Sequence, residues 1–307
     1  QIATRWWSRE PTPPSVSFAC SESSMLQIKN SELAVVLLDP VADRERQGSR
    51  YCWGGYIWQV NDHEGNPLFT GPEWPKPNPT AFNGQGLPES FRHRSRTGQP
   101  QTWKGNRGVA LGIGELALDS KGEVEVTQPC NWTISNDGTN IVFLTGQIAG
   151  DYHYELQRTV SLDGRRLISS SRLKNLSSTP LSLEWFAHPF FALTDRLIEA
   201  DVPSGTTLAE NPGFLLQGNQ LRSKRRFEHE KDGHMDFLHL PTDAVVDTTL
   251  THPLLSSLTF STDFAPSECV IWGNHATFSI EPYQRLSLAS GEETSWTLRY
   301  GFGLRKA

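Results

Sequence analysis

The sequence lacks the cysteine and histidine spacing of a metal site or of a redox motif. Its four cysteines are far apart and form no Cys-x-x-Cys pair; they are Cys20, Cys52, Cys130 and Cys269. We therefore expect reduced thiols, no metal and no cofactor, although four cysteines also allow two disulfides.

Membrane segments and a basic surface are missing as well. No apolar run approaches the roughly 20 residues that a membrane helix needs, and the N-terminus shows no signal-peptide pattern. The 28 basic residues are outnumbered by 34 acidic ones, and the formal net charge of −6 argues against a nucleic-acid surface. These absences predict a cytoplasmic protein that contacts neither membrane nor nucleic acid.

The helical spacing of apolar residues is also absent, whereas alternation with a period of two recurs along the chain. Tyr152, Tyr154 and Leu156 alternate with polar neighbours, and the Asp163-Gly164 pair that follows is typical of a hairpin turn. Many short strands separated by turns predict an all-β sandwich or barrel.

Three parts of the chain differ in composition. Residues 1–24 are rich in Pro and Ser without periodicity, so we expect an irregular arm there, followed by a single β domain over residues 25–307. Within that domain, residues 70–108 hold many Pro, Gly, Asn and Arg residues and predict a long loop. Loops of this length in a compact domain are usually functional or disordered.

Two predicted strands each carry a titratable residue followed by proline. In the first, Trp185 lies on one face and His188 on the other; in the second, Phe278 lies on one face and Glu281 on the other. Because proline cannot donate to a strand ladder, we expect both strands to end or bend there. Such a pair suits acid/base chemistry across a cleft. The alternative is a core or rim histidine with a satisfied hydrogen bond, since most histidines do no chemistry.

Four segments, in order along the chain, resemble the aldose 1-epimerase (galactose mutarotase-like) superfamily. They are Gly84-Gln-Gly-Leu-Pro-Glu-Ser-Phe91, the strands and Asn175 turn that lead to Phe186-Ala-His188-Pro-Phe-Phe191, Phe278-Ser-Ile-Glu281-Pro, and Ser290-Gly-Glu-Glu-Thr-Ser-Trp296. The resemblance spans most of residues 35–303. It implies a large antiparallel β-sandwich, the mutarotase-like supersandwich, and an isomerase that interconverts sugar anomers.

The resemblance also implies roles for the two residues. Ring opening requires a base for the anomeric hydroxyl and an acid for the ring oxygen. Glu281 would be the base and His188 the acid, initially protonated because a nearby carboxylate favours imidazolium. We expect the two side chains to bracket a pyranose ring in one solvent-reachable cleft, with residues 83–107 as part of its wall.

Four further residues are candidates for substrate binding. Asp236 resembles the family's aspartate that binds sugar hydroxyls, and Glu89 lies in a loop that matches the position of the family's sugar-contacting loop. Arg107 could contact anions together with Arg92, Arg94 and Arg96, and Trp272 could stack on a sugar. The alternatives are a surface turn for Asp236, a solvated loop for the arginines and core burial for the tryptophan. The family's loop arginine and its Asn-Arg-Ile motif are missing, which leaves open whether the substrate is a monosaccharide or a sugar phosphate.

Two other classes of function compete with the isomerase. A mutarotase-like fold can bind carbohydrate without turnover, and related sandwiches host polysaccharide lyases and glycoside hydrolases. A hydrolase needs two carboxylates around the scissile bond, and Glu89 is the only second candidate besides Glu281. The sequence allows either a monomer or a homodimer.

Overall fold

The computed structural model describes residues 25–76, 79–93 and 102–306, and the regular secondary structure of these residues is almost entirely β-strand. The only helical segment among them is the 3₁₀ turn Arg44–Arg46, and none of their helices could cross a membrane. This confirms the predicted all-β class. The expected arm over residues 1–24 lies outside the described residues, so the division into arm and domain stays a prediction.

The described residues form 24 strands. The first twelve are β1 (Leu26–Lys29), β2 (Leu33–Leu37), β3 (Ile57–Asp62), β4 (Glu89–Arg92), β5 (Trp103–Lys104), β6 (Arg107–Ala110), β7 (Gly114–Leu118), β8 (Val124–Pro129), β9 (Thr133–Asn136), β10 (Asn140–Ala149), β11 (Tyr152–Asp163) and β12 (Arg166–Asn175). The other twelve are β13 (Leu181–Ala187), β14 (Phe191–Ala192), β15 (Glu199–Asp201), β16 (Thr207–Leu208), β17 (Phe214–Gln217), β18 (Gln220–Ser223), β19 (His234–His239), β20 (Asp247–Leu250), β21 (Leu258–Thr262), β22 (Glu268–Gly273), β23 (Thr277–Leu288) and β24 (Glu293–Phe302).

Two large antiparallel sheets dominate the architecture. The ten-stranded sheet has the order β17-β18-β15-β20-β21-β24-β12-β11-β10-β9, and the seven-stranded sheet has the order β16-β19-β22-β23-β13-β4, with β14 also paired to β23. Two smaller sheets, β1-β2-β3 and β5-β6-β7-β8, complete the described structure. The predicted hairpin at Asp163-Gly164 is confirmed, since it joins β11 to β12.

The core lies between the two large sheets. Trp185 of β13 in the seven-stranded sheet meets Trp296 of β24 in the ten-stranded sheet, with ring centroids 5.1 Å apart. Both indoles are buried, as is Phe91 of β4, which contacts Trp296 edge to face. Alternation along each strand therefore divides one core-facing row from one outward-facing row.

The prediction of one long loop over residues 70–108 was wrong for part of that stretch. Residues 89–92 form β4, which pairs with β13 through Glu89↔Ala187 and Trp185↔Phe91. Residues 103–104 and the start of β6 are also strand. Local composition missed β4 because its stability comes from pairing with a strand about ninety residues later.

The described cysteines are unpaired. Cys52, Cys130 and Cys269 are buried free thiols, so none of these three forms a disulfide with another. Burial raises the pKa of Cys130 to about 12, which keeps that thiol protonated. Cys20 lies outside the described residues.

A buried ion pair joins the two large sheets. Arg158 of β11 contacts Glu89 of β4, and Ser169 Oγ of β12 donates a hydrogen bond of 2.8 Å to Glu89 Oε1. Arg158 Nη2 also donates to Ser169 Oγ at 3.2 Å. Burial raises the pKa of Glu89, whereas Arg158 and Ser169 act in the opposite direction. Each charge in this position depends on its partner for compensation.

We expect Arg158→Met to destabilise the protein strongly, because the variant leaves the Glu89 carboxylate buried without its counter-charge. Loss of one partner of a buried ion pair typically costs about 3–5 kcal/mol. The double variant Arg158→Met/Glu89→Gln should regain part of that loss, because it removes both charges. Urea unfolding of the two single variants and the double variant measures this coupling. If the losses of unfolding free energy in the two single variants simply added up in the double variant, the predicted coupling would be contradicted.

Candidate functional site

The site lies where β13 ends beside β23 in the seven-stranded sheet. β13 pairs with β23 up to Phe186, and β14 rejoins β23 at Phe191 in the same register. Continuing that register through the intervening residues places His188 opposite Glu281. Residues directly opposite on neighbouring antiparallel strands have side chains on one face and within reach of each other. The pattern of the sequence thus predicted correctly that both residues face away from the core.

The prolines after His188 and Glu281 affect their strands differently. β13 ends at Ala187, before His188-Pro189, and the His188 amide donates to Pro88 O at 2.9 Å, which extends the β4–β13 register by one pair. The other expectation, that Glu281 ends its strand, was wrong. β23 runs on through Pro282, which lies opposite Cys269 of β22. The strand continues because β22 supports it where β13 has turned away.

His188 and Glu281 are in direct contact. His188 Nε2 lies 3.4 Å from Glu281 Oε1, and His188 Nδ1 shares a hydrogen bond of 3.0 Å with Ser279 Oγ. Tyr283 Oη donates to Glu281 Oε2 at 3.3 Å. Ser279, Glu281 and Tyr283 occupy alternate positions of β23, so one face of one strand orients both titratable groups.

Aromatic rings surround the pair. Phe190 stacks on the His188 imidazole with ring centroids 4.3 Å apart. Trp272 of β22 meets the imidazole edge to face at 6.0 Å, and Tyr51 does so at 6.1 Å. Gly84 passes beneath this cluster with φ of +93°, and a Cβ there would lie 2.5 Å from the Phe190 ring. The loop residue next to the site is therefore required to be glycine.

The pair is nearly sealed from solvent. His188 is 2% exposed and Glu281 is 4% exposed, so the solvent-reachable cleft that we expected is closed in this structure. Two surface cavities of about 380 and 400 Å³ lie elsewhere, one beside Tyr152 and one beside Trp53. The direct contact also leaves no room for a pyranose ring between the two side chains.

Burial lowers the pKa of His188 well below its ordinary value, and the positive charge of Arg50 lowers it further. The imidazole is therefore neutral near pH 7. This overturns the expectation of an initially protonated His188. Burial penalises a cation at this position, and Arg50 adds like-charge repulsion.

Of the four substrate-binding candidates, the structure brings only Trp272 to the pair. Trp272 lies opposite Ser279 in the β22–β23 ladder, on the face that carries Glu281, and is half-buried. Glu89 does not lie in a sugar-contacting loop, because its side chain points into the core and pairs with Arg158.

Asp236 and Arg107 are placed away from the pair. Asp236 lies opposite Ile271 of β22, a core residue, and therefore on the other face of the sheet from Glu281. Its carboxylate contacts His234 at 3.4 Å. Arg107 is exposed at the start of β6, in the four-stranded sheet. Two of the arginines considered with it, Arg94 and Arg96, lie outside the described residues.

Sequence reasoning missed several residues that touch the pair. Ser279 and Tyr283 could have been found, because they alternate with Glu281 on one strand. Arg50 and Tyr51 reach the site from a segment more than 130 residues earlier, and nothing local marks them. Among the described residues, no three His, Cys, Asp or Glu side chains come together as metal ligands.

Comparison with known proteins gives similarity of fold. No protein-family profile matches the chain, and no curated protein matches it in sequence. A galactose mutarotase-like protein from Lactobacillus casei ATCC 334 is similar in structure, with a TM-score of 0.60 and 15% identity, covering 91% of this chain and 100% of its own.

Two other solved structures give the same result. A galactose mutarotase related enzyme from Lactobacillus acidophilus has a TM-score of 0.57 at 15% identity and covers 91% of this chain and 97% of its own. A provisionally assigned aldose 1-epimerase from Escherichia coli K12 has a TM-score of 0.54 at 15% identity and covers 92% and 99%. The chain therefore has the galactose mutarotase-like fold.

Proposed function

We propose that this protein is an aldose 1-epimerase-like isomerase that interconverts the anomers of a sugar at His188 and Glu281. The observation that carries the proposal is the contact of an imidazole and a carboxylate, 3.4 Å apart, on one aromatic-walled face of the seven-stranded sheet. The similarity of fold to mutarotase-like proteins supports it, although a fold alone does not specify an activity.

The side-by-side arrangement suits the chemistry better than the bracketing arrangement first expected. The ring oxygen and the anomeric hydroxyl are both bonded to C1, so an acid and a base must reach two adjacent oxygens. In the proposal, Glu281 removes the proton of the anomeric hydroxyl while His188 gives a proton to the ring oxygen. The C1–ring oxygen bond breaks, the aldehyde carbon rotates, and closure reverses both transfers.

A neutral His188 carries a single N–H proton, and its hydrogen bond to Ser279 decides which nitrogen holds it. If Ser279 Oγ donates to Nδ1, the proton lies on Nε2, the atom that faces Glu281. The carboxylate then accepts the proton of the anomeric hydroxyl, and the imidazole gives its Nε2 proton to the ring oxygen. In the same exchange Glu281 passes the proton that it took to Nε2 across their contact, so no imidazolate is left and no proton passes through solvent.

The sugar must displace side chains that cover the pair. The half-buried Trp272 marks the side of entry in this proposal, because Phe190 and Tyr51 beside the imidazole are buried. An indole face also suits the C–H face of a pyranose.

A non-catalytic carbohydrate-binding protein is the second candidate. The observation that favours it is the near-complete burial of His188 and Glu281, which a turnover enzyme would have to open on every cycle. A glycoside hydrolase has less support, because Glu89, the second carboxylate considered, faces the core.

We expect Glu281→Gln and His188→Asn each to slow anomer exchange at least tenfold, because each removes one proton-transfer group. General acid/base groups typically contribute about 10²- to 10⁴-fold. The double variant should be only slightly slower than the slower single variant, since the two groups act in one exchange. NMR exchange spectroscopy across neutral aldohexoses and their 6-phosphates measures the rates.

Asp236→Asn is the matched control for these variants. It neutralises a carboxylate on the other face of the same sheet, so the exchange rate should not change. If the wild-type protein binds sugar but accelerates no anomer exchange, the protein is a carbohydrate-binding protein and not an isomerase.

The neutral state of His188 predicts how stability depends on pH. Because its folded pKa lies below the unfolded value near 6.5, the unfolded chain takes up the proton first as the pH falls. The contribution of neutral His188 to the free energy of unfolding is complete above pH 6.5. It decreases as the pH falls toward the folded pKa, by at most about 1.4 kcal/mol per pH unit. The stability difference between wild type and His188→Asn should therefore shrink from pH 7 to pH 5. Chemical unfolding at each pH measures it, and a difference that grows would show that His188 is protonated in the folded state.

A further inference from the structure

Tyr51 lies beside His188 and has no role in the proton transfers proposed above. Its ring meets the His188 imidazole edge to face, with centroids 6.1 Å apart and planes 81° apart. The Arg50 guanidinium lies 4.9 Å from the centre of the tyrosine ring. Tyr51 is only 3% exposed, so its hydroxyl has been removed from bulk water.

The Tyr51 hydroxyl has no hydrogen-bond partner among the described residues. A buried hydroxyl without a partner is costly, because the desolvation of the group is not repaid. The neighbouring Tyr56, whose ring is 5.7 Å away, shows the usual arrangement. Its hydroxyl donates to Ala81 O at 3.5 Å and accepts from the Gln85 amide at 3.3 Å. Of two adjacent buried tyrosines, only the one that touches His188 lacks a partner.

Unpaired buried polar groups of this kind are found where a ligand supplies the missing partner. We propose that Tyr51 is a substrate-binding residue whose hydroxyl donates a hydrogen bond to a sugar oxygen beside the anomeric carbon. The proposal rests on the function proposed above, because it places the sugar at the His188–Glu281 pair.

The chemistry of the phenol fits the role of a donor. Burial raises the pKa of Tyr51, and the Glu281 carboxylate raises it further, whereas Arg50 lowers it. The hydroxyl therefore keeps its proton at the pH of any binding experiment. It can offer that proton to a neutral sugar oxygen, and it takes no part in the proton transfers of His188 and Glu281.

Tyr51→Phe removes only the hydroxyl, and Tyr56→Phe is the matched control. We expect Tyr51→Phe to be at least as stable as wild type, since the substitution removes no hydrogen bond of the folded protein. Its sugar dissociation constant should rise about three- to tenfold, the range of one hydrogen bond. KM should rise with it, while kcat changes less. Tyr56→Phe should do the opposite, losing stability and keeping sugar affinity.

The measurements are NMR titration and anomer exchange with neutral aldohexoses and their 6-phosphates, together with urea unfolding of each variant. Mono-deoxy analogues of the sugars that bind then identify the oxygen. The analogue that lacks the contacted oxygen should bind wild type and Tyr51→Phe equally.

Each outcome decides the proposal. Equal sugar affinity of Tyr51→Phe and wild type, or a loss of stability without a loss of affinity, would overturn it. Affinity is measured separately from turnover, so wild-type protein that binds without catalysis would defeat the proposed activity and still test Tyr51. Wild-type protein that binds no sugar of the panel would overturn both.

Discussion

The ion pair between Glu89 and Arg158 is the constraint on which the geometry of the site depends. It connects β4 of the seven-stranded sheet to β11 of the ten-stranded sheet across the core. The same short stretch of chain supports the site through its backbone. Pro88 O accepts from the His188 amide, and Glu89 O accepts from the Cys52 amide at 2.8 Å. Through these backbone contacts, the ion pair in the core positions both His188 and the segment that carries Tyr51.

A second constraint is the interruption of the β13–β23 ladder after Phe186. β13 ends at Ala187, before the His188-Pro189 step, and β14 rejoins β23 at Phe191 in the same register, whereas β23 itself continues through Pro282. His188 remains opposite Glu281 and turns its hydrogen bonding to Ser279 and to Pro88 O. Pairing between β13 and β23 is thus absent where His188 and Glu281 meet. Burial and the charge of Arg50 then lower the pKa of His188.

Similarity to mutarotase-like proteins extends to the fold and, in the proposal, to two residues of this chain. It does not extend to Glu89 and Asp236, which the resemblance in sequence had placed at the substrate. Glu89 forms a buried ion pair with Arg158, and Asp236 lies on the face of its sheet opposite to Glu281. At 15% identity, a shared architecture leaves room for different side chains around the pair.

The amino-acid sequence by itself determined the all-β class, the hairpin after β11 and the faces on which His188 and Glu281 lie. These follow from alternation and turn chemistry, which act over a few residues. Only the tertiary structure decided that Glu89 is a core residue, that β23 continues through Pro282 and that His188 is neutral. Glu89 depends on Arg158 and His188 on Arg50, both distant in the chain, and Pro282 depends on pairing with the neighbouring strand β22. Strand pairing and desolvation are properties of the packed sheets, and no local pattern of residues records them.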